Sequence, residues 1–430
     1  MENVSLLRDA IIVGAGHAGL SASYYLKQHG LDHIVFERGK AGESWRSQRW
    51  DSFKLNTPNK LNTLPGMDSN GADPEAFCSA NELAAYYNNY ITTFQLPVEE
   101  NATVTSIERN NGHFIVTVSQ NNFLRQYLGK QVIIASGIAN ERHVPLFASM
   151  ISKDIKQLHV ADYRNANELV DGAVLVVGGA QSGIQVAEDL AGSGRKIYLS
   201  TSMVARAPRR YRGRDIHDWL IDMKFFDATK EQISDPAMLK MKPPHLTGVG
   251  DHPRTISLQS LAKKGVTLIG KMENANDKDL FFQANAAMHV KFADGFSAKL
   301  KEMIDEFIVK SQRQASAAET DVDDLPDTNA DCATAITSLN SVQDNIRTII
   351  WTTGFHFNFK YIKMPILGND GLPKHNDGIS NIDGLYFIGL PWMRSRKSVT
   401  LFGLKEDAAF IAGEVVKYAD STKETYAESK

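Results

Sequence analysis

Cysteine is nearly absent from this chain. Only Cys78 and Cys332 occur in 430 residues, which leaves no disulfide framework, no Cys-x-x-Cys redox pair and no thiolate zinc cluster. That suits a reducing, cytoplasmic setting. An excess of one charge is also lacking: 47 basic against 50 acidic side chains give a formal net charge of -3, too weak a field to gather nucleic acid. Long apolar runs are missing as well. The first, at 10–13, is too short for the core of a signal peptide, and no stretch reaches the ~18 apolar residues that cross a bilayer. Neither export nor a membrane span is expected.

What is present suits a folded, multidomain protein. With 43% hydrophobic and 23% charged residues, burial can offset chain entropy, and dividing by about 150 residues per domain gives two or three units.

The pattern opens as a βαβ unit: a strand at 11–13, the turn Gly14-Ala15-Gly16-His17-Ala18-Gly19, a helix over 20–29 and a strand at 33–37. Ser79-Ala80-Asn81-Glu82 has capping-box spacing, and Leu83, Tyr87, Tyr90, Ile91 and Phe94 continue with helical period. From 103 to 137 the period falls to two around an Asn111-Gly112 turn, which predicts a β-meander. A second βαβ start follows, with a strand at 173–177, the turn Gly178-Gly179-Ala180-Gln181-Ser182-Gly183, a helix through Ile184, Ala187 and Leu190, and a strand at 196–199. The segment 215–310 reads as mostly helical, and 314–331, acidic and polar, as a mobile loop. Strands at 346–351 and 385–388 and a last helix through Leu404, Ala408, Ile411 and Val415 close the chain. The expected class is α/β: two Rossmann-like dinucleotide-binding domains of glutathione-reductase type, one discontinuous (1–140 and 340–430) and carrying the meander, the other at 141–339.

The chemistry lies in the two glycine turns. Gly14, Gly16 and Gly19 permit a tight bend and close backbone approach to a pyrophosphate, which the helix start stabilises, and Glu37 at the end of the next strand can accept hydrogen bonds from ribose hydroxyls. The second turn keeps Gly178 and Gly183 around Gln181 and Ser182. No acid follows its second strand. Ser200, Thr201 and Ser202 stand there, then Arg206, Arg209, Arg210, Arg212 and Arg214. Guanidinium forks suit a 2'-phosphate that an acid would repel, which favours NADPH, with Arg206 or Arg209 expected to bind it. A solvated basic loop is the plain alternative.

The run Glu37-Arg38 with Gly42-Glu43-Ser44-Trp45-Arg46 is similar to the segment that follows the FAD site in flavin-containing (class B) monooxygenases. Leu55-Asn56-Thr57-Pro58 resembles their asparagine loop, and His159-x-x-x-Tyr163-Arg164 the tail of their fingerprint. Thr353-Gly354-Phe355 resembles their Ala-Thr-Gly-Tyr/Phe stretch, and Ala135-Ser136-Gly137 an earlier version of it. Two departures stand out. The fingerprint opens Phe-x-Gly, whereas Phe147 is followed by Ala148 and Ser149. Tyr163 replaces the tryptophan of the Baeyer–Villiger version, which tilts toward heteroatom oxygenation or a plant auxin-type (YUCCA-like) reaction.

The resemblance implies FAD and NADPH as cofactors, with O2 and a small molecule as substrates. NADPH reduces FAD, O2 adds as a C4a-(hydro)peroxide, and one oxygen atom passes to an amine, sulfide, ketone or 2-oxo acid. The flavin carries that chemistry, so no triad or metal site is expected. Asn56 matches the asparagine that holds NADP+ and the oxygenated flavin, though an Asx-turn before Pro58 explains it equally on residue type. Trp45 covers the flavin edge or packs in the core, and His159 bears on the nicotinamide side or is structural. Gly389 and Arg396, the latter just before the last helix, complete the expected flavin site, with a surface charge as the alternative for Arg396. Two rivals stay open: a flavin oxidoreductase that passes electrons to another acceptor, and a nucleotide-binding redox sensor without activity. A homodimer is open as well.

Overall fold

The computed structural model describes residues 6–68, 73–137, 141–248, 254–369 and 371–428. Its α-helices are α1 (His17–Gln28), α2 (Glu43–Ser47), α3 (Ala80–Phe94), α4 (Gln181–Ala191), α5 (Ile216–Asp222), α6 (Leu258–Lys263), α7 (Ala286–Ser311) and α8 (Leu401–Glu428).

Two sheets, each opened by a strand, a glycine turn and a helix, organise these elements. In the first, Arg8–Val13 lies between His33–Phe36 and Phe123–Ile134, parallel to both. Leu385–Phe387 joins Phe123–Ile134 in parallel from the far end of the chain, and α8 packs on α1. The meander is present: Thr103–Asn110 and His113–Gln120 pair antiparallel, and the second of them pairs with Phe123–Ile134. Helix α3 begins at the expected capping box, with the Ser79 and Glu82 side chains each bonding the other's backbone N–H.

The second sheet is parallel throughout, in the order Val266–Ile269, Ile197–Ser200, Ala173–Val177, Ile346–Trp351, Lys156–His159. Its inner strands Ala173–Val177 and Ile197–Ser200 are short and buried throughout, as expected where helices cover both faces, whereas the edge strand Lys156–His159 is polar and partly exposed. One buried cluster contains Ile11 and Ile133 of the first sheet together with Val176 and Leu199 of the second. The two sheets share a core, which fixes the cleft between them.

Three expectations need correction. The boundary at 340 is too early, because Ile346–Trp351 sits between two strands of the second sheet; an apolar run does not say which sheet it enters. Among its described residues the stretch 215–310 is helical in α5, α6, α7 and three short 3-10 turns at Phe225–Asp227, Lys230–Gln232 and Pro236–Lys240. Between α6 and α7 lie the edge strand Val266–Ile269 and the hairpin of Met272–Asn276 with Asp279–Phe282, since four-residue apolar runs carry no period. The acidic segment 314–331 has no helix or strand, yet it is a pinned strap. Asp324, 3% exposed, accepts from Arg206 Nε at 2.8 Å, Ser297 Oγ at 2.7 Å and Lys301 Nζ at 2.7 Å. Composition could not show these partners, which arrive from distant elements.

Candidate functional site: two glycine cradles and the segment between them

The first cradle forms where Arg8–Val13 ends. Gly14 has φ +105°, and a Cβ there would stand 2.5 Å from the Ala135 carbonyl; on Gly19 it would stand 1.9 Å from the Gly14 carbonyl. Only glycine fits either place. Gly16 precedes α1 and offers no side chain to cap the helix's first N–H groups. Ala18 is buried in the same first turn.

Glu37, 8% exposed, accepts the Ala15 N–H at 2.9 Å and the Gly39 N–H at 3.1 Å. Burial raises its pKa against the opposing pull of those two donors. Beside it opens a cavity of about 400 Å3 lined by Gly14, Glu37, Arg38, Thr103, Tyr361 and Lys363. His17 supplies an orphaned polar atom: it is 3% exposed, its Nδ1 meets the Tyr87 hydroxyl at 3.2 Å, and its Nε2 bonds to nothing. Burial first, then the Lys405 ammonium, lower its pKa to about 3, so the ring is neutral and available as a hydrogen-bonding group. A carboxylate for ribose hydroxyls, a helix start without a side-chain cap and an imidazole with Nε2 unpartnered fit a dinucleotide. Lys405, on α8, carries no sequence signal that links it to the glycine turn.

The second cradle repeats the geometry. Gly178 has φ +115°, and a Cβ on Gly183 would stand 1.7 Å from the Gly178 carbonyl. The Thr352 hydroxyl underpins the bend, its one proton within reach of the Gly178 carbonyl at 2.7 Å or the Val177 carbonyl at 2.9 Å. Ser182, half-buried, begins α4.

Several residues expected to touch the second cofactor are committed elsewhere. Ser200 is buried and gives its hydroxyl to the Gly270 carbonyl at 3.0 Å. Gln181 bonds the Leu246 backbone through both ends of its amide. Arg206, 1% exposed, is used up by Asp324 and Asp294. Arg209, equally buried, binds Asp215 and donates to the Asn56 carbonyl at 2.8 Å. Neither arginine reaches solvent for a phosphate, which corrects the expectation drawn from residue type.

Positive charge does occur at the end of Ile197–Ser200, supplied by residues the sequence reading missed. Lys271 is exposed and follows Gly270, whose carbonyl takes the Ser200 hydroxyl. Desolvation, then the nearby Lys271 ammonium, lower the pKa of Lys242. The same two causes lower His289, whose Nδ1 meets the Thr201 hydroxyl at 2.8 Å.

Between the cradles runs the segment 43–56. Trp45 on α2 is half-buried, with its ring 6.0 Å from Phe53 and the Arg49 guanidinium 4.8 Å above it. Ser44 shares that half-buried turn. Arg46 is structural, donating to the Ala41 and Ala84 carbonyls at 3.2 and 3.4 Å. Asn56 is half-buried, and its Oδ1 accepts Gln185 Nε2–H at 2.9 Å across the domain boundary.

His159 is not a proton carrier: its Nε2 donates to the Gly354 carbonyl at 3.0 Å and its Nδ1 accepts the Ala161 N–H at 3.3 Å, so neither nitrogen is free. Thr353 and Gly354, the latter at φ +92°, serve the same fold-back, with the Thr353 hydroxyl on the His143 carbonyl and the His143 N–H on Gly354 at 3.0 Å. Arg396 stacks its guanidinium on Phe225 at 3.8 Å and Trp392 at 5.2 Å, so it is not an isolated surface charge. Gly137 and Gly389 both adopt positive φ at strand ends. Among the described residues, no group of three metal-ligating side chains occurs, and no helix is long and apolar enough to cross a membrane.

Comparison with known proteins shows what the chain is similar to. The profile of the family described as pyridine nucleotide-disulphide oxidoreductase matches residues 11–221. A probable indole-3-pyruvate monooxygenase, YUCCA10 of Arabidopsis thaliana, is 27% identical over 212 residues, 48% of this chain and 54% of that protein. The resemblance to class B flavoprotein monooxygenases stands.

Over nearly the whole chain the likeness is to an oxidoreductase, described as uncharacterized and CzcO-like, of Geobacillus kaustophilus strain HTA426: 28% identity over 413 residues, 95% of this chain and 99% of that one. The flavin-monooxygenase fold is shown by a solved flavin-containing monooxygenase from Stenotrophomonas maltophilia, with a TM-score of 0.64 at 17% identity, covering 97% of this chain and 100% of that one.

Proposed function

We propose that the protein is an FAD-dependent monooxygenase that uses NADPH and O2 to insert one oxygen atom into a small organic molecule. N- or S-oxygenation leads, with a ketone or 2-oxo acid next. The observation that carries this reading is the pair of glycine cradles set on two sheets with one common core. Ligands of open α/β sheets bind beyond the carboxyl ends of the strands, at such turns.

In this reading the first cradle holds FAD. Glu37 accepts hydrogen bonds from the ribose hydroxyls, the open N–H groups of α1 take the pyrophosphate, and His17 Nε2 and Lys405 stand ready for its polar groups. The second cradle, Gly178 to Gly183, holds the nicotinamide dinucleotide, and Lys242 with Lys271 supply the charge for a 2'-phosphate. Bound FAD supplies hydride acceptance and O2 activation. The chain's own residues orient and exclude water: the rings of Trp45 and Phe53 wall the intervening segment, and Asn56 offers its amide to the cleft.

The family profile favours a second reading, a reductase acting on a disulfide. The thiols oppose it. Cys78 and Cys332 are both free, and burial raises their pKa to about 11 and about 12, the latter helped by Asp327, so neither is a ready thiolate.

The test is to supply NADPH, 18O2 and a panel of amines, sulfides, ketones and 2-oxo acids while measuring H2O2. Labelled product formed in step with NADPH use supports the reading. NADPH use that ends wholly in H2O2, or in an added electron acceptor, across the whole panel contradicts it.

A further inference from the structure

Asn56 is an amide, and an amide offers a donor at one end and an acceptor at the other. Which end faces the cleft determines what it can do there. The contact that bears on this comes from outside the segment. Gln185, 3% exposed, lies one turn into α4, the helix that begins at the second glycine cradle. Its Nε2 donates to Asn56 Oδ1 at 2.9 Å. The Asn56 carbonyl is taken by Arg209, which Asp215 holds in place.

One helical turn further on, Asp189 accepts the Ser52 hydroxyl at 2.5 Å and the Tyr163 hydroxyl at 2.5 Å. Residues four apart on α4, Gln185 and Asp189, therefore grip residues four apart on the facing segment, Asn56 and Ser52, and i,i+4 positions share one helix face. Gly248 closes the other side: a Cβ there would stand 2.1 Å from the Leu55 carbonyl. Backbone and Oδ1 of Asn56 are thus both fixed, while no bond from its Nδ2 to protein is present among the described residues.

We propose that Gln185 is a positioning residue: by occupying Asn56 Oδ1 it turns the Asn56 Nδ2–H donors toward the cleft, where they meet the bound nicotinamide dinucleotide. The inference rests on the cofactor assignment above, and it adds a link between the helix that cradles the second dinucleotide and the segment that flanks the first.

A double-mutant cycle tests it on purified, FAD-loaded protein: wild type, Gln185→Leu, Asn56→Ala and the double variant, each measured for NADP+ dissociation constant and bound-flavin absorption spectrum. Melting temperature and FAD content identify any variant that fails to fold. Either single substitution should weaken NADP+ binding by about 5-fold or more, the effect of one lost hydrogen bond. The double variant should match Asn56→Ala, because Gln185 acts only through that amide.

Additive effects, or Gln185→Leu indistinguishable from wild type while Asn56→Ala weakens binding, would overturn the positioning role and leave the monooxygenase reading untouched. Wild type that binds no NADP+ would overturn the cofactor assignment, and this inference with it. As a readout that loss of packing would not move, the flavin spectrum of Gln185→Leu should shift toward that of Asn56→Ala; an unshifted spectrum counts against the proposal.

Discussion

At the scale of single residues, glycines and buried charges carry opposite lessons. Gly14 and Gly19 are needed because their neighbours' carbonyls stand where a Cβ would be. Gly19→Ala must push the bend apart, at a cost typical of overpacking, and should lower FAD affinity roughly tenfold or more; titration of the apoprotein with FAD checks this. The glycines were legible in the sequence because their requirement is local.

The arginines were not legible. Their type suited a phosphate, but the carboxylates that claim Arg206 come from α7 and from the acidic strap. Arg206→Met should therefore cost about 3 kcal/mol of stability by removing the buried guanidinium that Asp324 and Asp294 share, read as a lowered denaturant midpoint, with the preference for NADPH over NADH unchanged. Lys242→Ala combined with Lys271→Ala should lower that preference and leave the midpoint in place.

At the scale of elements, the clearest case is the start of α8. Asp407 is 3% exposed; its Oδ2 has no partner and Arg394 stands 3.7 Å from its other oxygen. Burial raises its pKa to about 6. The sign follows from linkage. Between the ordinary carboxylate value near 3.8 and about 6 the folded chain binds a proton that the unfolded chain does not, so this group favours folding as pH falls through 6 and weakens it above. Asp407→Asn should accordingly raise the melting temperature at pH 8, by up to roughly 3 kcal/mol in stability, and the gap should close below pH ~4. A pH series of thermal melts checks it.

Legibility at this scale tracked length and period. Helix α3, the meander and both βαβ openings follow from spacing and turn residues, whereas the short strand Val266–Ile269 and the fixed strap at 314–331 depend on partners elsewhere in the chain.

At the scale of the whole molecule, the fold class was readable because two fingerprints in one chain imply two dinucleotide domains. How the chain shares its strands between them was not, since Ile346–Trp351 and Leu385–Phe387 look alike as apolar runs and enter different sheets. The shared core then holds the cradles in one orientation, with Ser52, Asn56, Gln185 and Asp189 bridging them. The central claim is that this single chain brings a flavin and a reduced pyridine nucleotide together so that a hydride can pass. It is tested most directly by adding NADPH in measured steps to the purified, FAD-saturated protein under anaerobic conditions. One FAD per chain, bleached fully by one equivalent of NADPH, is the predicted result. A chain that takes up no FAD, or a bound flavin that keeps its yellow colour in excess NADPH, would contradict it.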